Sequence, residues 1–429
     1  MKSFIIASIL LAVAFSLNAQ DLAAPTLSYS GLEKKLKKSD EEINDAKEKV
    51  KPATWFSRGE LFLDIHEVNI EFIRLGMPSA EAKLYLKEPN EVNTVEEDGR
   101  TFEHYVYDRI TLIFENDLLQ DYRETQVIHP DPLPAALDAF KETLRLDEKK
   151  KLVTKVQEQL ENMKRMAEAD AIHHFITNQY DKALGKFELI MEASETEAYE
   201  NYIDSVIIYN AALAAKNSGN HELAAKYFEQ SAQIGYGGSD TYYLLKNEYM
   251  ALEDSVKALD ALQRGYQIYP DTSLILFELV NYYLAIGNED EGMKFLTLAQ
   301  EKESGNPSIY FAKGTLYERM GEKEKAMEAY KESLEVDPEF FNSWFNIGAL
   351  HFNNAVEMYD QANTKEDLDE YNAAKALADE ELKRSIEPME KAHQLNPDER
   401  AALETLQTIY YRLQMTDKYE AVKAKLENM

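Results

Sequence analysis

The sequence predicts a mainly α protein built from helix hairpins, with one small α+β module inserted near the N-terminus. Three observations predict it. From residue 205 onward, apolar and small residues recur with a period of 34 residues, at starts 205, 239, 273, 307 and 341, without a gap. Between 68 and 131 that pattern gives way to aromatic and β-branched runs divided by turn residues. The 429-residue chain also has no cysteine, so packing must hold it together without disulfides or Cys-bound zinc.

Taken in order, the chain opens with Lys2, an apolar run from Phe4 to Leu17 and the small residue Ala19. These are the three parts of a secretory signal peptide over 1–19, cleaved near Ala19, which predicts a soluble periplasmic or secreted mature chain. The run has 14 residues, short of the roughly 20 a membrane span needs. Residues 20–50 read as a charged helical segment. Residues 51–67 and 132–150 read as the two halves of one split hairpin, through Trp55, Gly59 and Phe62 in the first half and Ala136 and Phe140 in the second. The insertion at 68–131 reads as a short helix with Ala80, Leu84 and Leu86 on its apolar side, stopped by Pro89. Three strands follow, Phe102–Tyr107, Ile110–Phe114 and Leu118–Arg123, turning at Asp108-Arg109 and Asn116-Asp117.

The array proper covers 151–340. One unit begins near 164, with Ala171, Ala183 and Phe187 in the small and aromatic positions. In the regular units the first stripe reads Ile208, Tyr242, Leu276, Tyr310 and Trp344. Four residues on stand Ala212, Lys246, Val280, Gly314 and Gly348, and three further on Ala215, Tyr249, Tyr283, Tyr317 and His351, so each set shares one helical face. Gly219, Glu253, Gly287 and Gly321 form a turn column, where glycine supplies the left-handed residue that ends a helix. Ala224, Ala258, Gly292 and Ala326, each followed by Phe228, Leu262, Leu296 or Tyr330, mark the second helix, and Gly314 is expected to face Ala326 across its hairpin. Residues 341–397 carry 25 extra residues rich in Ala, Glu and Leu, which predicts a lengthened helical hairpin. Residues 398–429 supply capping helices.

These columns, with Pro270 and Pro338 closing two units, resemble the tetratricopeptide repeat (TPR) family. The resemblance implies a right-handed superhelix whose concave face comes mainly from the first helix of each hairpin. The insertion resembles the small outer-membrane-assembly lipoprotein domain of the SmpA/OmlA type, through Gly76-Met77, the helix end from Leu84 to Pro89, the Tyr105–Tyr107 strand and "LIFENDLL" at 112–119. Lys87 and Glu88 stand where that family usually has Leu-Gly.

With 47 basic and 78 acidic residues the formal charge is −31, which argues against nucleic acid and anionic lipid as partners. No nucleophile elbow, phosphate loop or dinucleotide fingerprint occurs, and no cofactor is expected. The eight histidines form no metal motif: "HELAA" at 221 lacks a second ligand, and His174 and His351 fall in the buried third column. His173 and His174 are expected to point to different sides. The sequence therefore predicts no catalytic or metal site.

Function should lie on the first-helix face, where an unbroken ladder of Tyr209, Tyr243, Phe277, Phe311 and Phe345 runs beside Asn210, Asn247, Asn281 and Asn346. Rings give apolar contact and amides pair with an extended backbone, so the expected partner is a protein or peptide. Whether the rings instead pack between adjacent repeats stays open at this point. The leading reading is a non-enzymatic scaffold in cell-envelope assembly or secretion, with no membrane insertion once the signal is cleaved and peripheral association with the envelope left open. A periplasmic holdase for unfolded chains is the alternative, and a glycan-binding or enzymatic role comes third.

Overall fold

The computed structural model describes residues 27–97, 99–199, 204–427 and 429, so the signal-peptide segment lies outside the described residues. The chain forms two compact units, Met1–Tyr236 and Gly237–Met429. Among the described residues no helix is long and apolar enough to cross a membrane.

The first unit begins with α1 (Tyr29–Asn44), which buries Leu32. Arg58 ties it to α2 (Pro52–Glu67), donating to Ser39 Oγ at 2.9 Å and pairing with Asp40 at 2.8 Å. Helix α2 packs on α4 (Pro132–Leu146) although 64 residues of chain separate them. The contact works because Gly59 has no side chain: a Cβ there would lie 2.4 Å from the buried Phe140 ring. Then come α5 (Val153–Ile176) and α6 (Tyr180–Ser194), paired through buried Ala171, Ala183 and Phe187, and α7 (Ser205–Ser218) with α8 (His221–Gln233). Side chains of Asp204 and Asn220 cap α7 and α8 by accepting from their first free N–H groups.

The module between α2 and α4 has its own core of Met77, Ala82, Tyr105, Ile110, Leu112, Phe114 and Leu119. Its helix is α3 (Ser79–Leu86). The sheet has four strands rather than three, in the antiparallel order β1 (Glu91–Glu97), β2 (Arg100–Val106), β3 (Ile110–Glu115), β4 (Leu118–Glu124). Strand β1 escapes the sequence because "EVNTVEE" is solvent-facing almost throughout, so no in-out alternation marks it. In α3 the buried residue is Ala82, while Ala80 and Leu84 face solvent, which corrects the expected apolar side. Tyr85 and Leu86 pack against the same core as Ala82, and Pro78, just before the helix, bridges to Leu118. Asn116 and Asp117 both adopt positive φ, +50° and +65°, as the tight β3–β4 turn requires. Asn69 bonds the Gln126 carbonyl at 2.8 Å, so the ends of the module lie side by side.

In the second unit, the hairpins are α9 (Gly238–Ala251) with α10 (Ser255–Ile268), α11 (Ser273–Ala285) with α12 (Glu289–Lys302), and α13 (Pro307–Arg319) with α14 (Lys323–Val336). The second-helix columns are buried in every one: Ala258 and Leu262, Gly292 and Leu296, Ala326 and Tyr330. Gly314 meets the buried ring of Tyr330, with a Cβ there placed 2.4 Å from ring carbon Cε1. The ring stands one turn beyond Ala326 on α14 and reaches back over the crossing point. Helix α15 (Phe341–Ala362) then lies against both α16 (Leu368–Arg384) and α17 (Ile386–Leu395). Ala355, Leu382 and Met389 fill that contact, and His351 Nδ1 sits 2.7 Å from Glu381 Oε1. Helices α18 (Arg400–Arg412) and α19 (Thr416–Glu427) follow.

Candidate functional site

The first-helix face is divided between the two units. In the first, Tyr209 is half-buried and packs edge-on against Phe228 at 5.8 Å and Tyr236 at 5.4 Å, so its ring serves the hairpin; Asn210 is half-buried beside it. In the second unit Phe311 lies 5.6 Å from Tyr330 and 5.8 Å from Phe340, and Phe345 lies 5.9 Å from Phe341 and against the α15–α18 core. Asn346 donates to the Tyr330 hydroxyl at 3.0 Å. The three rings and Asn346 are engaged within the protein, while Asn210 has no side-chain hydrogen bond among the described residues.

Tyr243, Asn247, Phe277 and Asn281 differ. They sit on α9 and α11, first helices of successive hairpins that touch one another. A half-buried ion pair, Lys246 Nζ to Glu278 Oε2 at 2.7 Å, joins the two helices, and the same ammonium lies 5.2 Å from the centre of the Tyr243 ring. Phe277 is half-buried with no ring partner among the described residues, and Asn247 and Asn281 have no side-chain hydrogen bond among them. A stripe of two rings and two unbonded amides results.

A second feature was not foreseen. The first unit contains a cavity of about 970 Å³ where β4 and the segment before α4 meet α2, α5 and α6. On α5, Asp170, His173 and His174 stand at i, i+3 and i+4 and so share a face. His173 is buried; its Nε2 lies 2.6 Å from Asp121 Oδ1 on β4 and its ring stacks on Tyr122 at 4.2 Å. The His173 and His174 rings stack at 5.4 Å with 15° between planes, so both line the cavity instead of pointing apart. Asp170 is shared by His66 from α2, at 3.5 Å, and Lys186 from α6, at 3.3 Å, and Lys186 also reaches Asp131 at 3.4 Å. His129 completes the set, edge-on to Phe62 at 5.0 Å. The signal available in the sequence was "DAIHH", one helical face with a carboxylate and two imidazoles; their partners come from distant segments. No group of three or more His, Asp or Glu among the described residues is arranged to hold a metal ion.

Burial, and then the neighbouring His173, push the His174 pKa down to about 4, and burial depresses His66 although Asp170 opposes it. A depressed histidine keeps the folded state neutral while the unfolded chain takes a proton below its ordinary value. The contribution is therefore complete above about pH 6.5 and is lost as pH falls toward about 4. Because His174 is half open to solvent, which screens it, the expected loss is of the order of 1 kcal/mol between about pH 7 and pH 5. Denaturant unfolding at the two pH values checks this, and His174→Gln should flatten the change. Carboxyls that burial raises, such as Asp64 and Glu67, act in the opposite sense in both proteins.

The model of the tetratricopeptide repeat family matches residues 206–234 and 307–340, the α7–α8 and α13–α14 hairpins. Those two stretches are tetratricopeptide repeats. Among curated proteins, a Drosophila melanogaster BBSome complex member BBS4 homolog is 24% identical over 184 residues, covering 42% of this chain and 38% of that protein. A TPR repeat-containing protein of Methanocaldococcus jannaschii is 25% identical over 207 residues, covering 44% of this chain and 36% of its own. The chain thus spans little more than a third of the length of the curated relatives it matches. Among solved structures, YrrB, described as a TPR protein with an unusual peptide-binding site, aligns over 48% of this chain and 96% of its own, with 17% identity and a TM-score of 0.33. The MamA protein aligns over 45% of this chain and 95% of its own, with 18% identity and a TM-score of 0.33.

Proposed function

We propose that the chain is a non-enzymatic scaffold that holds an extended protein segment against the first helices of its tetratricopeptide hairpins, centred on Tyr243, Asn247, Phe277 and Asn281. The observation that carries this reading is the pair of unbonded amides beside two half-exposed rings. An amide offers a donor and an acceptor together, as a peptide backbone demands, and the rings add apolar contact at little entropic cost. The formal charge of −31 favours a basic or neutral segment over an acidic one.

The apolar run from Phe4 to Leu17 directs export to the periplasm or beyond, and the resemblance of the inserted module ties the scaffold to envelope assembly or secretion. Mass measurement of the mature native chain tests the export step; an intact Met1 species in the cytoplasm would count against it. For the binding face, Phe277→Ala combined with Asn281→Ala should weaken partner binding by about 2 kcal/mol with the melting temperature unchanged. If the pair instead unfolds the second unit, these side chains are structural and the face is misplaced.

A further inference from the structure

We propose that the cavity of the first unit binds a neutral, hydroxyl-rich ligand the size of a short oligosaccharide. Its volume of about 970 Å³ is that of a small-molecule site. The charges on its wall nearly balance: Asp121, Glu124, Asp131 and Asp170 face Arg123, Lys182 and Lys186. Such a wall leaves a polyphosphate or a polyamine with uncompensated like charge on one side. A neutral guest meets no such penalty.

The contacts along the wall differ in length. His173 is pinned to Asp121 at 2.6 Å and stacked on Tyr122, which makes a fixed back wall. Around Asp170, by contrast, the contacts from Lys186 and His66 are 3.3 and 3.5 Å, and Lys186 stands 3.4 Å from Asp131. Charge-assisted hydrogen bonds between such groups close to about 2.7–2.9 Å when nothing else competes for them. His174 Nδ1 is buried without a hydrogen-bond partner among the described residues. A hydroxyl donates and accepts at once, so one placed beside the pair can donate to Asp170 and accept from Lys186, and a second can serve His174. Ile70, Val127 and Leu189 add apolar lining that suits the C–H faces of a sugar ring.

This site is independent of the face carrying Phe277 in the second unit, and its test uses a different ligand. The full chain is titrated calorimetrically with maltose, cellobiose, mannobiose and N,N′-diacetylchitobiose, and in parallel with glutamate and lysine as charged probes. At least one disaccharide should saturate the protein below about 10 mM, and neither amino acid should. Gly185 lines the cavity from α6 and a Cβ there meets nothing within 4 Å, so Gly185→Leu starts its side chain in open space and takes up cavity volume. That variant should melt no lower than the parent yet bind the disaccharide at least about tenfold more weakly. Asp170→Asn should weaken it as well. Failure of all four disaccharides, saturation by a charged probe alone, or undiminished binding in the stable Gly185→Leu protein would each overturn the proposal.

Discussion

Gly59→Val is expected to destabilise the first unit by about 3 kcal/mol, more than any exposed substitution in α2, because it strikes the contact that joins the two separated halves of one hairpin. A Cβ at position 59 would stand 2.4 Å from Phe140 Cε1 and 2.7 Å from both neighbouring ring carbons. Those atoms belong to a fully buried ring with Phe56 at 6.0 Å on one side, so the ring cannot withdraw without a shift of α4. Urea unfolding measures the loss. Phe140→Ala should itself cost about 3–5 kcal/mol by leaving a cavity. The double variant should lose clearly less than the sum of the two, since the clash and the cavity are the same space. If Gly59→Val stays within about 0.5 kcal/mol of the parent, α2 and α4 are not packed through this point.

Tyr330→Ala should be comparably severe in the second unit, at about 4 kcal/mol. The ring is completely buried on Gly314, and its hydroxyl binds Glu318, receives a hydrogen bond from Asn346 at 3.0 Å and lies 3.4 Å from Thr315 Oγ1. Burial, followed by the Glu318 carboxylate, pushes the phenol pKa well up, so the hydroxyl remains a donor. Tyr330→Phe keeps the ring and removes only the bridge, which should cost about 1–2 kcal/mol because a part-buried amide and carboxylate lose their shared partner. The ratio of the two losses separates packing from hydrogen bonding. Equal losses would mean that the ring contributes nothing beyond its oxygen.

The hairpin register was legible because geometry repeats the same demand. Ala224, Ala258 and Ala326 sit where two helices cross too closely for a larger side chain, and each is fully buried. The turn residue demands positive φ, met by Gly219, Gly287 and Gly321 at +83°, +70° and +77°. The same turn is made by Glu253 at +59°, which the period places without a glycine, and by Asn178 and Gln414 at +59° and +58°, which lie outside the regular period and carry no glycine to mark them. Strand β1 was hidden for a different reason, its exposure on both faces. The ladder's positions could be read from periodicity, but the neighbours of its rings could not. Tyr236 and Phe340, which engage Tyr209 and Phe311, lie in the loops that close their units, where the period fixes a position but not which ring folds back onto the helix. The cavity was least legible of all: His66, Asp121, Asp170 and Lys186 belong to four elements, and only folding brings them together.

A protein segment held across α9 and α11 should be captured by site-specific photo-crosslinking. A photoreactive residue is placed at Asn281 on the stripe and, as a control, at the exposed Glu301 on α12. One discrete protein adduct is expected from position 281, none from position 301, and loss of the adduct when Phe277→Ala is added to the same chain. The same adducts from both positions, or an adduct from 281 that persists without the Phe277 ring, would contradict it.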